Sequence, residues 1–189
     1  MWRLVIWWPI ISAALGQGVE MFYLRDLPSD EVLKQFAEHY PEMDISSVKL
    51  CHYLNRVGSD LLTAFETMLA KHGLSQGRFL VMIILYRNPD QPISPSVLSE
   101  KVGVTRATIT GLLDGLERDE CIARTNHAND RRRKWVRLTE KGIRILEAML
   151  PDYYRRIKGL MRGLSEGERL ELMRLLSKVK TGLPALMND

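Results

Sequence analysis

The stretch from Asp130 to Gly142 constrains the fold more than any other part of the sequence. It begins with five adjacent charged residues, Asp130 to Lys134, which would all have to be desolvated if this segment were buried. They therefore predict an exposed hairpin tip. The residues that follow, Trp135 to Thr139, alternate in a way that is typical of a short, half-buried strand. Thr139 is also a favourable helix N-cap, so the sequence predicts a basic tip, a strand and a helix start.

The chain is basic, and its excess positive charge is concentrated around this stretch. Of 189 residues, 27 are Lys or Arg and 23 are Asp or Glu, which gives a net charge of +4. Between Arg124 and Arg137 there are six positive residues and one negative residue, Asp130. This concentration favours an anionic partner such as nucleic acid. A basic run by itself is equally compatible with a solvated loop, so the preceding segments decide between the two interpretations.

Two short helices are predicted before the hairpin, joined by a turn that contains glycine. Ser94 and Pro95 form an N-cap and first-position pair for the first helix, and Gly103 ends it. Thr105 caps the second helix, whose N-terminal residues are small, hydroxylated or basic. Small side chains let a helix backbone enter the DNA major groove, while Thr and Arg reach phosphates and base edges. The pair predicts a helix-turn-helix, and the hairpin after it predicts a wing.

Long amphipathic helices are predicted on both sides of this unit. Apolar residues recur at helical spacing from about Asp44 to His72, from Gly142 to Leu164 and from Ser165 to Leu183. These apolar stripes exceed what a small winged unit can cover, so a second copy of the chain is the expected partner. The predicted fold class is mainly α with a small β-wing, a winged helix-turn-helix with long N- and C-terminal dimerisation helices.

The predicted organisation has four segments. Residues 1–20 are an apolar leader or a misassigned start, 21–74 the N-terminal dimerisation helices, 75–142 the winged helix-turn-helix DNA-binding domain, and 143–189 the C-terminal dimerisation helices. For the first segment three interpretations stay open: a misplaced start before Met21, an apolar arm that packs on the domain or a partner, and an export signal. Its uncharged run, Leu4 to Leu15, is too short to span a bilayer, so no stable membrane association is expected.

From about Asp44 onward, the chain resembles the MarR family of winged-helix transcriptional regulators. The wing signature is the most specific part of the resemblance and stands here as Asp130, Arg132, Val136, Leu138, Thr139 and Gly142. The resemblance implies a homodimeric repressor that binds a palindromic operator in double-stranded DNA and is released by a small-molecule effector. It also implies that Arg132 enters the minor groove and that Asp130 orients it. The expected DNA-binding residues are Ser96, Thr105, Arg106, Ala107, Thr108, Thr110, Asp130, Arg131, Arg132, Arg133 and Lys134.

The resemblance also implies where a small aromatic effector would bind. Members of the family bind such molecules in the cleft between the dimer helices and the winged unit. In this sequence Phe65, Met68, Phe79 and Met82 could line that cleft. Apolar residues at helical spacing are also the usual content of a core, and that alternative stays open.

Cys51 is a candidate for redox regulation. Its placement resembles that of the reactive thiol in the hydroperoxide-sensing branch of the family, where tyrosines hold the thiol. This chain has Asn55 and Phe65 at the corresponding positions. An ordinary packing role is therefore the alternative for Cys51.

The sequence contains no motif for catalysis or for binding a cofactor or metal. The four histidines show no ligand spacing with Cys51 or Cys121, and neither Gly-x-Ser-x-Gly nor a phosphate-binding glycine loop is present. We therefore expect neither an enzyme nor a cofactor. Two distant cysteines are typical of the reducing cytoplasm. The alternative function is a non-DNA protein-interaction module with an apolar N-terminal tether, because a fold alone does not establish function.

Overall fold

The computed structural model describes residues 28–89, 91–127 and 130–187, and the side chains of residues 126–133 are outside this description. The predicted leader, residues 1–20, therefore lies outside the described residues. The chain divides into two compact units, one that extends through Ile143 and one that begins at Arg144.

The first unit consists of helices followed by a two-stranded antiparallel sheet. Its elements are α1 (Asp30–His39), α2 (Ile45–Ala70), α3 (Gln76–Tyr86), α4 (Pro95–Val102), α5 (Arg106–Arg118), β1 (Ile122–His127) and β2 (Asp130–Leu138). The next helix, α6 (Glu140–Leu160), begins in this unit and continues into the second. The order α4, α5, β1 and β2 is the predicted helix-turn-helix followed by a wing.

Helices α3, α4 and α5 each begin after a serine or threonine that is a favourable N-cap. Ser75, Ser94 and Thr105 each accept a hydrogen bond from a backbone N–H three residues further on, at 3.3, 3.4 and 3.1 Å. These caps satisfy N–H groups that have no partner within the first helical turn. At the other end of α4, Gly103 adopts a φ of 76°, a conformation that glycine reaches without the steric cost of a side chain.

Helix α3 is the centre of the winged unit. It packs against α2, α4, α5 and β2. Its buried residues are Phe79, Val81, Met82, Ile83 and Leu85. The sequence of α3 is apolar nearly all round, and a helix of that kind is stable only when neighbouring elements cover it.

Two glycines bring α3 and α5 close together. A Cβ added to Gly77 on α3 would lie 3.1 Å from the Leu112 side chain on α5. A Cβ added to Gly115 on α5 would overlap the guanidinium of Arg78 on α3. Each helix thus provides a glycine that leaves room for a long side chain of the other. Such close contact fixes the position of α5 relative to the core.

Strands β1 and β2 form a β-ribbon that is longer than the sequence predicts. Its strands pair from Ile122 with Leu138 to Asn126 with Lys134, and a register irregularity precedes the pair of His127 with Asp130. The prediction that Asp130 to Lys134 form a hairpin tip was wrong, because their backbone belongs to strand β2. A ribbon that faces solvent can continue its backbone pairing through charged residues, because their side chains do not have to be buried.

The ribbon joins α6 through a tightly packed turn. The Thr139 hydroxyl donates a hydrogen bond to the Glu120 carbonyl at 2.7 Å and accepts one from the Gly142 N–H at 3.1 Å, as the predicted N-cap of α6. Glu120 itself has a φ of 58°, which is unusual for a residue with a side chain. A Cβ on Gly142 would overlap the carbonyl oxygen of Cys121. The turn therefore requires glycine at this position.

The second unit contains the rest of α6, a short 3₁₀ turn (Met161–Gly163), α7 (Glu166–Gly182) and a terminal 3₁₀ segment (Leu183–Leu186). A capping box is present at the start of α7: Ser165 accepts a hydrogen bond from the Glu168 N–H, and the Glu168 carboxylate accepts one from the Ser165 N–H. Hydrogen bonds to this carboxylate from the Ser165 N–H and from the Ser165 hydroxyl lower the pKa of Glu168. Among the helices of the described chain, none has the length and apolar content needed to cross a membrane.

We expect Gly142→Ala to lower the free energy of unfolding by about 2–4 kcal/mol, because the new Cβ must displace the backbone at Cys121. Urea denaturation measures this change. A suitable control is Gly159→Ala, since Gly159 lies within α6 and an added Cβ there meets no atom within 4 Å. That variant should be neutral or up to about 1 kcal/mol more stable. Equal stability of the two variants would contradict the close contact at Gly142.

Candidate nucleic-acid interface

Helix α5 has one face in the core and one face in solvent. Its buried side chains are Ile109, Leu113 and Leu116. The exposed face near the N-terminus is formed by Arg106, Ala107, Thr110 and Gly111. Helical periodicity places these four residues on one side of the helix. The small residues on this side leave the backbone accessible to a large partner.

The predicted contact residues at the start of α5 differ in how available their side chains are. Thr105, Arg106, Ala107 and Thr110 are exposed, whereas Thr108 is half-buried. The hydroxyls of Thr105 and Thr108 are 2.9 Å apart and share a hydrogen bond. The Thr110 hydroxyl donates to the Arg106 carbonyl at 2.8 Å and retains its acceptor capacity. Arg106 and Thr110 are therefore better placed than Thr108 to contact a partner.

A groove of about 720 Å³ lies between α4, α5 and the β-ribbon. Its lining residues are Ser94, Pro95, Ser96, Val97, Thr110, Leu113, Arg124, Lys134 and Trp135. Three of the predicted DNA-binding residues, Ser96, Thr110 and Lys134, thus come together although they belong to different elements. Ser96 and Lys134 are exposed, and the Ser96 hydroxyl is 3.0 Å from that of Ser94.

The remaining predicted contacts lie on the wing. The backbone of Asp130, Arg131, Arg132 and Arg133 belongs to strand β2. Their side chains lie outside the described part of the structure. The predicted contacts of these four residues with DNA therefore stay predictions.

Sequence reasoning missed an ion-pair cluster that joins α5 to the ribbon. Arg124 on β1 places its Nη2 atom 2.6 Å from Asp114 and its Nη1 atom 3.5 Å from Glu117, both on α5. The Nε atom of Arg124 is buried and has no hydrogen-bond partner among the described residues. One sequence feature does point to part of this cluster. Asp114 follows Thr110 by four residues and so lies on the same side of α5 as the predicted DNA-binding residues.

The predicted effector residues lie on α2 and α3. Met68, Phe79 and Met82 are buried and Phe65 is half-buried. None of these four residues lines the groove between α4, α5 and the ribbon. Their predicted role in effector binding stays a prediction.

The two cysteines differ in environment. Cys51 is exposed on α2, and its sulfur accepts a hydrogen bond from the Asn55 amide at 3.8 Å. Cys121 is buried, and this burial, together with the nearby Asp119 carboxylate, raises the pKa of its thiol. Cys51 is thus the more accessible thiol, and its predicted sensing role stays a prediction. In the described ranges of the chain, no cluster of three or more His, Cys, Asp or Glu residues could hold a metal ion.

Comparison with known proteins identifies the family. Residues 74–134 match the model of the MarR family. The HTH-type transcriptional repressor YetL of Bacillus subtilis strain 168 is 34% identical over 153 residues, which cover 81% of this chain and 92% of that protein. The transcriptional repressor MprA of Escherichia coli K12 is 31% identical over 165 residues, covering 86% of this chain and 92% of that protein. The chain belongs to the MarR family.

The comparison of structures agrees with this family assignment. A Staphylococcus aureus MepR–DNA complex has the same fold, with a TM-score of 0.63 at 22% identity, over 70% of this chain and 95% of that one. The predicted mainly helical MarR-like fold with a two-stranded wing is confirmed. This MarR-family chain is a DNA-binding transcriptional repressor and not an enzyme, as the sequence predicts.

Proposed function

We propose that this MarR-family repressor binds a palindromic operator as a homodimer, with α5 of each copy in the major groove. The observation that carries the proposal is the exposed face of α5, where Arg106 and Thr110 flank small residues. A helix with such a face can approach base edges closely, because no bulky side chain separates its backbone from the groove. Because its proposed target is operator DNA, we expect the protein to act in the cytoplasm.

The surroundings of α5 support the same orientation. Ser96 on α4 and Thr105 at the start of α5 expose hydroxyl groups, which are common donors to phosphate oxygens. The N-terminus of α5 also carries partial positive charge from its aligned peptide dipoles. On the wing, the family resemblance assigns the minor groove to Arg132, oriented by Asp130. Arg131, Arg133 and Lys134 are then expected to contact phosphates.

The exposed apolar surface of the terminal helices supports a homodimer. No residue of α7 is buried, and its exposed side includes Leu172, Leu175, Leu176 and Val179. Leu183, at the start of the 3₁₀ segment that follows, is also exposed. Helix α2 likewise exposes Leu50, Tyr53 and Val57. Burial of such side chains is favourable by roughly 25 cal/mol per Å², and a second copy of the chain offers a matching surface. Two-fold symmetry then explains a palindromic operator. Residues 21–74 and 143–189 keep their proposed role in dimerisation.

We further propose that a small effector binds in the groove between α4, α5 and the ribbon. The groove volume, about 720 Å³, falls within the usual range for small-molecule sites, roughly 300–1,000 Å³. Val97 and Trp135 supply apolar surface, and Arg124 and Lys134 supply positive charge. A small aromatic acid matches this combination. Because Ser96, Thr110 and Lys134 are also expected to contact DNA, an occupant of the groove would exclude the operator.

Binding to operator DNA should weaken steeply as salt rises, because positive side chains release counterions from the phosphates. Arg106→Ala should weaken binding by about 1–3 kcal/mol and relax the preference among operator sequences. Fluorescence anisotropy with duplexes selected from genomic fragments measures both effects. Arg155→Ala, which removes the same charge from an exposed position on α6, is the control and should change affinity by less than about twofold. A flat salt response, or equal affinity of the two variants, would contradict the proposed contact.

Replacing Leu176 by Lys should convert the dimer into monomers, because a charged side chain would have to be buried in the apolar interface. Analytical ultracentrifugation measures this change, and operator binding should fall with it. The control is Lys178→Ala on the same helix, which should remain dimeric. If Leu176→Lys remained a dimer with full operator affinity, α7 would not form the interface.

The effector site is tested by screening small aromatic carboxylates, beginning with benzoate, for release of the operator. Any compound that releases DNA should compete with it directly, so that the apparent operator Kd rises in proportion to compound concentration. Val97→Trp fills the groove and should weaken binding of the compound by about tenfold. Met82→Leu changes one of the four residues that the sequence predicts for effector binding, and it should leave the affinity for the compound unchanged. If Met82→Leu weakened binding of the compound and Val97→Trp did not, the effector would instead bind between α2 and α3.

A further inference from the structure

Two carboxylates lie on the side of α5 that is proposed to face DNA. Asp114 follows Ala107 by seven residues and Thr110 by four, so the three side chains lie along one face of the helix. Glu117 follows within the next turn. The side chains of Asp114 and Glu117 are 59% and 42% exposed. Negative groups at such positions repel the phosphates of an approaching duplex.

Arg124 is the cation that accompanies both carboxylates. Its Nη2 atom is 2.6 Å from Asp114 Oδ1, and its Nη1 atom is 3.5 Å from Glu117 Oε2. The Arg124 side chain is only 17% exposed, so its charge is held close to these partners and away from bulk water. Because Arg124 belongs to β1, the ion pairs also hold the two acidic side chains toward the ribbon.

We propose that Arg124 is a positioning residue for operator binding, which offsets the charge of Asp114 and Glu117 and holds both side chains away from the phosphates. This inference rests on the proposed function, in which α5 contacts DNA. A purely structural role, in which Arg124 only holds α5 against β1, predicts a different result. Electrostatic repulsion is screened by salt and disappears when the carboxylates are removed, whereas neither change would correct a misplaced helix.

The first test compares operator affinity of the wild type and Arg124→Gln at two salt concentrations. Arg124→Gln should bind roughly tenfold more weakly at about 50 mM salt and less than about threefold more weakly at about 200 mM salt. Adding Asp114→Asn and Glu117→Gln to the Arg124→Gln variant should restore wild-type affinity to within about threefold. A deficit that persists at both salt concentrations and after removal of the carboxylates would overturn the proposal, as would full affinity of Arg124→Gln.

The second test leaves Arg124 intact, so it does not depend on the folding of Arg124→Gln. The double variant Asp114→Asn/Glu117→Gln should bind the operator at least about threefold more tightly than the wild type at about 50 mM salt. Its control, Glu38→Gln/Glu42→Gln, makes the same charge change at exposed positions at the end of α1 and in the turn after it. Although these positions fall within residues 21–74, the control should remain a dimer by analytical ultracentrifugation and should bind with unchanged affinity. Equal affinity of the two double variants would overturn the proposal.

The outcomes also separate this inference from the proposed function. A wild type that binds no duplex would refute α5 as a DNA-contacting helix and, with it, the role of Arg124. A wild type that binds its operator with a steep salt dependence, beside an Arg124→Gln variant of equal affinity, would refute only the role of Arg124.

Discussion

Burial of α3 is the constraint on which the winged unit depends. This helix has apolar residues on nearly every side, and five of them are buried by the surrounding helices and strand β2. Burying each such side chain contributes about 1.5–3 kcal/mol relative to leaving it in water. The elements that cover α3 therefore cannot separate from it without a large cost. One of those elements is α5, so the helix that is proposed to contact DNA is held in place by the same packing that stabilises the fold.

The contacts of α5 are distributed so that its N-terminus stays available. At its C-terminal end, Arg78 from α3 donates to Asp119 at 2.8 Å and occupies the space that Gly115 leaves open. In its central part, Asp114 pairs with Arg124 from the ribbon. In the first turn, Ile109 is buried in the core and Thr105 caps the N-terminus, while Arg106 and Ala107 are exposed. This division leaves the exposed N-terminal residues free to meet a ligand while the rest of the helix is anchored.

The sequence predicts those features that depend on local chemistry. Helix starts are predicted to within about one residue, because a cap such as Thr105 satisfies N–H groups only three positions away. The length of the ribbon is not predicted, because strand pairing depends on the partner strand as well as on local side chains. The groove is also not predicted from the sequence, since Ser96, Thr110 and Lys134 become neighbours only when α4, α5 and the ribbon pack together.

Arg124 connects the two proposed ways of controlling operator binding. Its guanidinium pairs with carboxylates on α5 and also lines the groove. An anionic effector in that groove would offer the guanidinium another partner, in competition with Asp114 and Glu117. If it drew Arg124 toward itself, the two carboxylates would regain their freedom to face the phosphates. Such an effector would then oppose DNA binding twice, once by occupying the groove and once by leaving negative charge on α5 without its partner.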